Sequence, residues 1–164
     1  MKFLFGICLL LLYIIGGSRL FAQEAGNVFK KSNFYSAMAG NNEDALNEQL
    51  SLLKTISITE KSAYEGALLM KKASMAGSAK KKLNLFKEGQ KKLEAVLQKD
   101  STNVEFRFLR LMIQEHAPGR LGYKGELEKD KLYIKNNFKK LPPVVQEAAL
   151  NYSKDSKILK SADL

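Results

Sequence analysis

An all-α fold, about seven helices in antiparallel hairpins, is what this sequence predicts. Three observations carry that expectation. Apolar residues recur three and four positions apart in one stretch after another. Caps and breakers punctuate those stretches at Gly40-Asn41, Gly77-Ser78, Asp100–Asn103, Pro118-Gly119 and Pro142-Pro143. Nowhere does apolar and polar alternation last more than a few residues, as a strand would need.

The first helix is expected over Val28–Ala39, begun at Asn27, with Phe34 and Met38 as its buried pair. The second, about Asn42–Lys54, opens with Glu43 and Asp44, whose charges complement the positive end of the helix dipole. Its Leu46, Leu50 and Leu53 share one face. Ser57 and Glu60 have capping-box spacing and should open a third helix that runs to about Ala76. Ala63, Gly66, Ala67, Met70 and Ala73 form its buried stripe, small enough for a neighbouring backbone to come close.

A fourth helix, about Ala79–Lys99, carries Phe86, Gly89, Leu93, Val96 and Leu97 on one side and Lys and Glu on the other. Thr102 and Glu105 have the spacing of a second capping box. The helix they open, Asn103 to about Glu115, is apolar almost all round, and its narrow polar strip is Arg107, Arg110 and Gln114. Such a helix packs on more than one side, so it should be central, with Phe108 and Leu111 buried. After the Pro118–Tyr123 loop, a sixth helix (about Gly125–Lys140) aligns Leu127, Ile134 and Phe138. A seventh starts at Pro142-Pro143 and aligns Val145, Ala148, Ala149 and Tyr152. The polar residues 153–164 are expected to fray.

The N-terminus reads as a targeting segment. Lys2 precedes the apolar run Phe3–Ile15, Gly16-Gly17-Ser18 breaks it, and Ala22 offers a small residue for cleavage. The run is shorter than the ~20 residues of a membrane-spanning helix. A signal peptide over 1–22 and a periplasmic or secreted domain over 23–164 are therefore expected. Cleavage would remove Lys2, Arg19 and the lone Cys8, leaving 25 basic against 17 acidic residues, net +8. Its core must then hold by packing, without disulfides.

The chemistry on offer is narrow. The chain has 164 residues with 45% hydrophobic and 27% charged, which is globular, but no Trp, one His and one Cys. That supply excludes a disulfide scaffold and the usual zinc ligand set. Walker A, dinucleotide-binding, HExxH, EF-hand and Gly-x-Ser-x-Gly patterns are all missing, so no cofactor or metal is expected. His116 ends the fifth helix, where a cation suits the dipole. Cleavage of cell-wall glycans would need two acids across a cleft, and Glu65, Glu105 and Asp130 are the acids in apolar settings. Lys71-Lys72, Lys80–Lys82, Lys91-Lys92 and Lys139-Lys140 could attract an anionic polymer or membrane surface, though Lys is also the ordinary solvated residue of helices. An exported chain is a poor candidate for nucleic acid.

Asp130 lies on the apolar stripe of the sixth helix, between Leu127 and Ile134. A desolvated carboxylate there needs a positive partner. Arg107 and Arg110 on the fifth helix are the expected partners, with Arg120 and Tyr123 in the adjoining loop as the exposed part of a partner site.

The turn Leu97–Asn103, together with small residues at hairpin contacts, resembles tetratricopeptide-type repeats over about residues 60–115. Ser101 stands where that family's turn carries Pro, and no 34-residue self-similarity accompanies it. The resemblance implies stacked helical hairpins with a groove between them for a partner. The stretch Glu105–Leu111 with Ala117-Pro118, Leu121–Tyr123 and Asp130-Lys131 is similar to a pattern in small secreted proteins of Gram-negative bacteria, which implies no activity. The expected function is thus a non-catalytic interaction module binding a protein or peptide of the cell envelope. The alternatives are an envelope-glycan hydrolase and an anionic-polymer binder.

Overall fold

A computed structural model describes residues 28–164. The expected signal peptide lies outside the described residues. Among these the fold is all-α: α1 (Lys31–Ala39), α2 (Glu43–Thr55), α3 (Lys61–Met75), α4 (Ala79–Lys99), α5 (Val104–His116), α6 (Leu127–Asn137) and α7 (Pro143–Ser153), with three short 3-10 turns. No described helix is long and apolar enough to cross a membrane.

α3 and α4 make the most extensive helix contact in the fold. Its cause is the small-residue stripe: Gly66 and Gly89 face each other so closely that a Cβ on Gly66 would meet the Gly89 carbonyl oxygen at 2.7 Å. α5 packs on α3, α4 and α6, and every residue from Val104 to Gln114 is buried. Phe108 and Leu111 are fully enclosed, as the apolar run requires. α1 leans on α2 and also on α7, so the last helix returns to the first.

Caps fix most boundaries. The Asn42 side chain accepts hydrogen bonds from the Asp44 and Ala45 amides, Ser78 from Lys81, and Asn103 from Phe106. Neither capping box predicted from spacing forms. α3 begins at Lys61 with no side-chain cap, and Glu60 instead lies 3.7 Å from Lys31. Thr102 turns back to Asp100, and Asn103, one residue later, becomes the cap of α5. Residues 28–30 precede α1 rather than joining it, since it starts at Lys31.

The C-terminal residues are packed, which corrects the expectation of fraying. Leu159 is fully buried in the core cluster, and Ser153 and Ser156 are buried with it. The Glu115 carboxylate holds the segment by accepting from Tyr152 Oη at 2.5 Å, Ser156 Oγ at 2.6 Å and the Lys157 amide at 2.6 Å. Asp163 then closes the terminus against Lys131 and Lys135 of α6.

Candidate functional site

Two acids that the sequence places in apolar settings are engaged inside the protein. Asp130 has no solvent exposure. Its Oδ1 accepts from Arg107 Nη1 at 2.7 Å and Arg110 Nη2 at 2.8 Å, and its Oδ2 from Arg110 Nε at 2.6 Å. Arg110 forks, reaching Glu94 on α4 at 3.0 Å, and Tyr123 donates to the same carboxylate at 2.6 Å. Burial and that bond to Glu94 push the Tyr123 phenol well above its ordinary range. Burial pulls on Arg110 in the opposite sense, but Asp130 and Glu94 prevail and hold its pKa above the ordinary value. The cluster ties α4, α5, α6 and the loop after α5 together.

Glu105 is the centre of a second cluster. Tyr35 and Tyr64 donate to its Oε1 at 2.9 and 2.7 Å, and Lys31 pairs with its Oε2 at 2.8 Å. The carboxylate thereby joins α1 and α3 to α5, the task that displaces it from capping. Burial, then the charge of Glu105, raises the pKa of both phenols. Glu65 is tied to Lys92 at 2.9 Å. None of these three acids lines the groove between α3–α4 and α1–α7 or the smaller cleft between α1 and α2, and no three described His, Cys, Asp or Glu side chains converge as metal ligands would.

The open space is elsewhere. A groove of about 1320 Å³ runs between α3–α4 and α1–α7, with α5 as its floor. Met70 and Ala73 come from α3, Leu83 and Phe86 from α4, Met112 and Ile113 from α5. Tyr35 and Met38 of α1 and Ala148 and Tyr152 of α7 face them. The volume exceeds the roughly 300–1,000 Å³ of ordinary small-molecule pockets. Met side chains from three helices give its walls flexible, polarizable surface that adapts to a bound shape. Leu83 is an apolar side chain left 40% exposed in the groove wall.

No family model, curated protein or solved structure matches this chain.

Of the residues singled out for a partner site, only Arg120 is exposed and lines the groove. Tyr123 is buried at 6% exposure, edge-on to Phe86, so it cannot be an exposed contact. Arg107, Arg110 and Asp130 are likewise enclosed and hold the loop that carries Arg120. His116 stands exposed in the groove at the end of α5, its ring edge-on to Tyr152. Sequence reasoning missed Lys71, Lys82 and the Met wall as one site. Their only shared signal is convergence in space, since they are spread over α1, α3, α4 and α5.

The groove's charges are unevenly placed. α3, α4 and the 3-10 turn Gly119–Leu121 contribute Lys71, Lys82 and Arg120 and no acid. The acids, Glu147 and Asp155, stand on α7 and just beyond it, beside Lys154. None of the cations enters an ion pair among the described residues. Lys71 is half-buried with only Asn41 near its ammonium, at 3.4 Å, and burial lowers its pKa.

Proposed function

We propose that this protein is a non-catalytic helical interaction module of the cell envelope, and that its groove holds a segment of a partner protein or peptide. The observation that carries the reading is the groove itself, a largely apolar, Met-lined channel between α3–α4 and α1–α7. A helix of about 10 Å diameter would fill that volume over roughly three turns, a natural size for helix-in-groove recognition. Glu65, Glu105 and Asp130, the acids in apolar settings, are taken up in ion pairs and hydrogen bonds away from the groove. Export by the N-terminal segment would put the module in the periplasm or outside the cell.

The test is site-specific photo-crosslinking in an envelope extract. A photoreactive residue at Leu83, exposed in the groove, should capture a polypeptide. The same residue at Leu132, exposed on α6 outside the groove, should not. Equal capture at both positions, or no polypeptide adduct at Leu83, overturns the reading.

A second reading is favoured by one observation. Lys80, Lys81 and Lys82 are exposed at the start of α4, whose first turn holds no acid, although positive charge is unfavourable at a helix N-terminus. Lys72 and Lys92, by contrast, are paired with Glu43 and Glu65. Such a free cluster suits an anionic polymer or membrane surface. Salt-sensitive binding to anionic but not neutral vesicles would support that second role.

A further inference from the structure

We infer that the segment held in the groove is an acidic amphipathic helix, seated with its carboxylates toward Lys71, Lys82 and Arg120. This rests on the groove being a partner site, and adds which partner it takes. Cations without acids line one long side of the groove, on three separate elements, and none is neutralised within the protein. Lys71 is the most telling, because its half-buried side chain ends on a neutral amide alone, Asn41 at 3.4 Å, with no carboxylate beside it. A carboxylate brought alongside would supply the missing charged partner.

The sign of the charge also excludes other occupants. A second copy of this chain brings net positive charge, +8 once residues 1–22 are removed, to a basic rim. The chain's own apolar run, Phe3–Ile15, is flanked by Lys2 and Arg19, the same sign as the rim. A single lipid chain would fill only part of so large a groove, and the hydroxyls of Ser32, Ser36 and Ser74 on its walls give an apolar tail nothing. A helix satisfies its own backbone and shows an apolar stripe to the Met floor and a polar side to those hydroxyls. The overall positive charge would in addition speed its arrival.

Two designed peptides test this, each 14 residues long with the same Leu/Met stripe, one flanked by Glu and the other by Lys. Each carries a fluorophore, and binding to the full protein is read by anisotropy. The Glu peptide should bind about ten-fold more tightly or better, and the preference should shrink as salt shortens the Debye length from about 10 Å at 0.1 M to about 3 Å at 1 M. The triple variant Lys71→Gln, Lys82→Gln, Arg120→Gln should lose that preference while its circular dichroism stays unchanged. Equal binding of both peptides overturns the assignment of an acidic partner and leaves the groove as a peptide site. Binding of neither peptide overturns both. A fatty acid that binds while neither peptide does would assign the groove to a lipid instead.

Discussion

Gly66 and Gly89 meet across the α3–α4 crossing with no room for a side chain on either. A Cβ built on Gly66 would lie 2.7 Å from the Gly89 carbonyl oxygen, and one on Gly89 would lie 2.5 Å from the Gly66 carbonyl oxygen. Both obstacles are backbone, which cannot swing aside as a flexible side chain can. Gly66→Ala should therefore destabilise the protein by about 1–3 kcal/mol, the usual range for overpacking, even though alanine is the better helix former by about 1 kcal/mol. Gly77→Ala, where nothing lies within 4 Å, is the control and should be near neutral. Urea denaturation of the two variants decides it. Equal stabilities would mean the helices can separate at no cost.

Phe108 is the second place where packing can be measured. Fully buried on α5, its ring lies 5.9 Å from that of Tyr35 and 5.7 Å from that of Tyr152. It thus bridges the first and last helices through the central one. Phe108→Ala should cost about 3–5 kcal/mol. A loss under about 1 kcal/mol, as at surface sites, would show that α5 is not the centre of the core.

What the sequence reveals differs by element for physical reasons. The role of α5 is readable because an all-round apolar helix has nowhere to go but inside. The Asp130 pairing is readable because a carboxylate on an apolar stripe cannot stay unpaired. The capping boxes mislead because spacing says nothing about competing partners. Glu105 is drawn inward by Tyr35 and Tyr64, and Asn103 offers a cap one residue after Thr102. Tyr123 hides for a similar reason: its acceptor, Glu94, belongs to the polar side of α4. The C-terminal segment shows no apolar period because only Leu159 is fully buried there, while serines and the acids Glu115 and Asp163 do the anchoring. The groove lies where the buried stripes of five helices diverge, and periodicity within one helix cannot report that.

Asp130→Asn should destabilise the protein by about 3–5 kcal/mol, the range for breaking a buried pair from one side. The cost falls on Arg107 and Arg110, which would remain enclosed without their carboxylate. Because Arg110 also holds Glu94, and Glu94 holds Tyr123, the loop at 118–123 should loosen as well. Hydrogen exchange should accelerate in that loop before it does in α2. Unchanged exchange and a loss below about 1 kcal/mol would mean that the guanidinium groups find water as easily as Asp130.

The C-terminal anchor should respond to acid. Burial alone would raise the pKa of Glu115, but hydrogen bonds from Ser156, Tyr152 and the Lys157 amide outweigh it and hold the pKa below its ordinary 4.5. A carboxyl group depressed on folding binds protons less readily in the folded than in the unfolded state. Its contribution is therefore fully present above pH 4.5 and is lost as pH falls through the lower, folded value. Residues 154–164 should accordingly become sensitive to an acid-active protease below that range while α5 stays protected. Glu115→Gln should show the same sensitivity at neutral pH, because an amide can accept at only one atom where the carboxylate takes three donors at two. The variant should then be indifferent to the acid step that opens the wild type. If the variant's tail stays protected at neutral pH, Leu159 alone is sufficient to hold it, and the Glu115 anchor is dispensable.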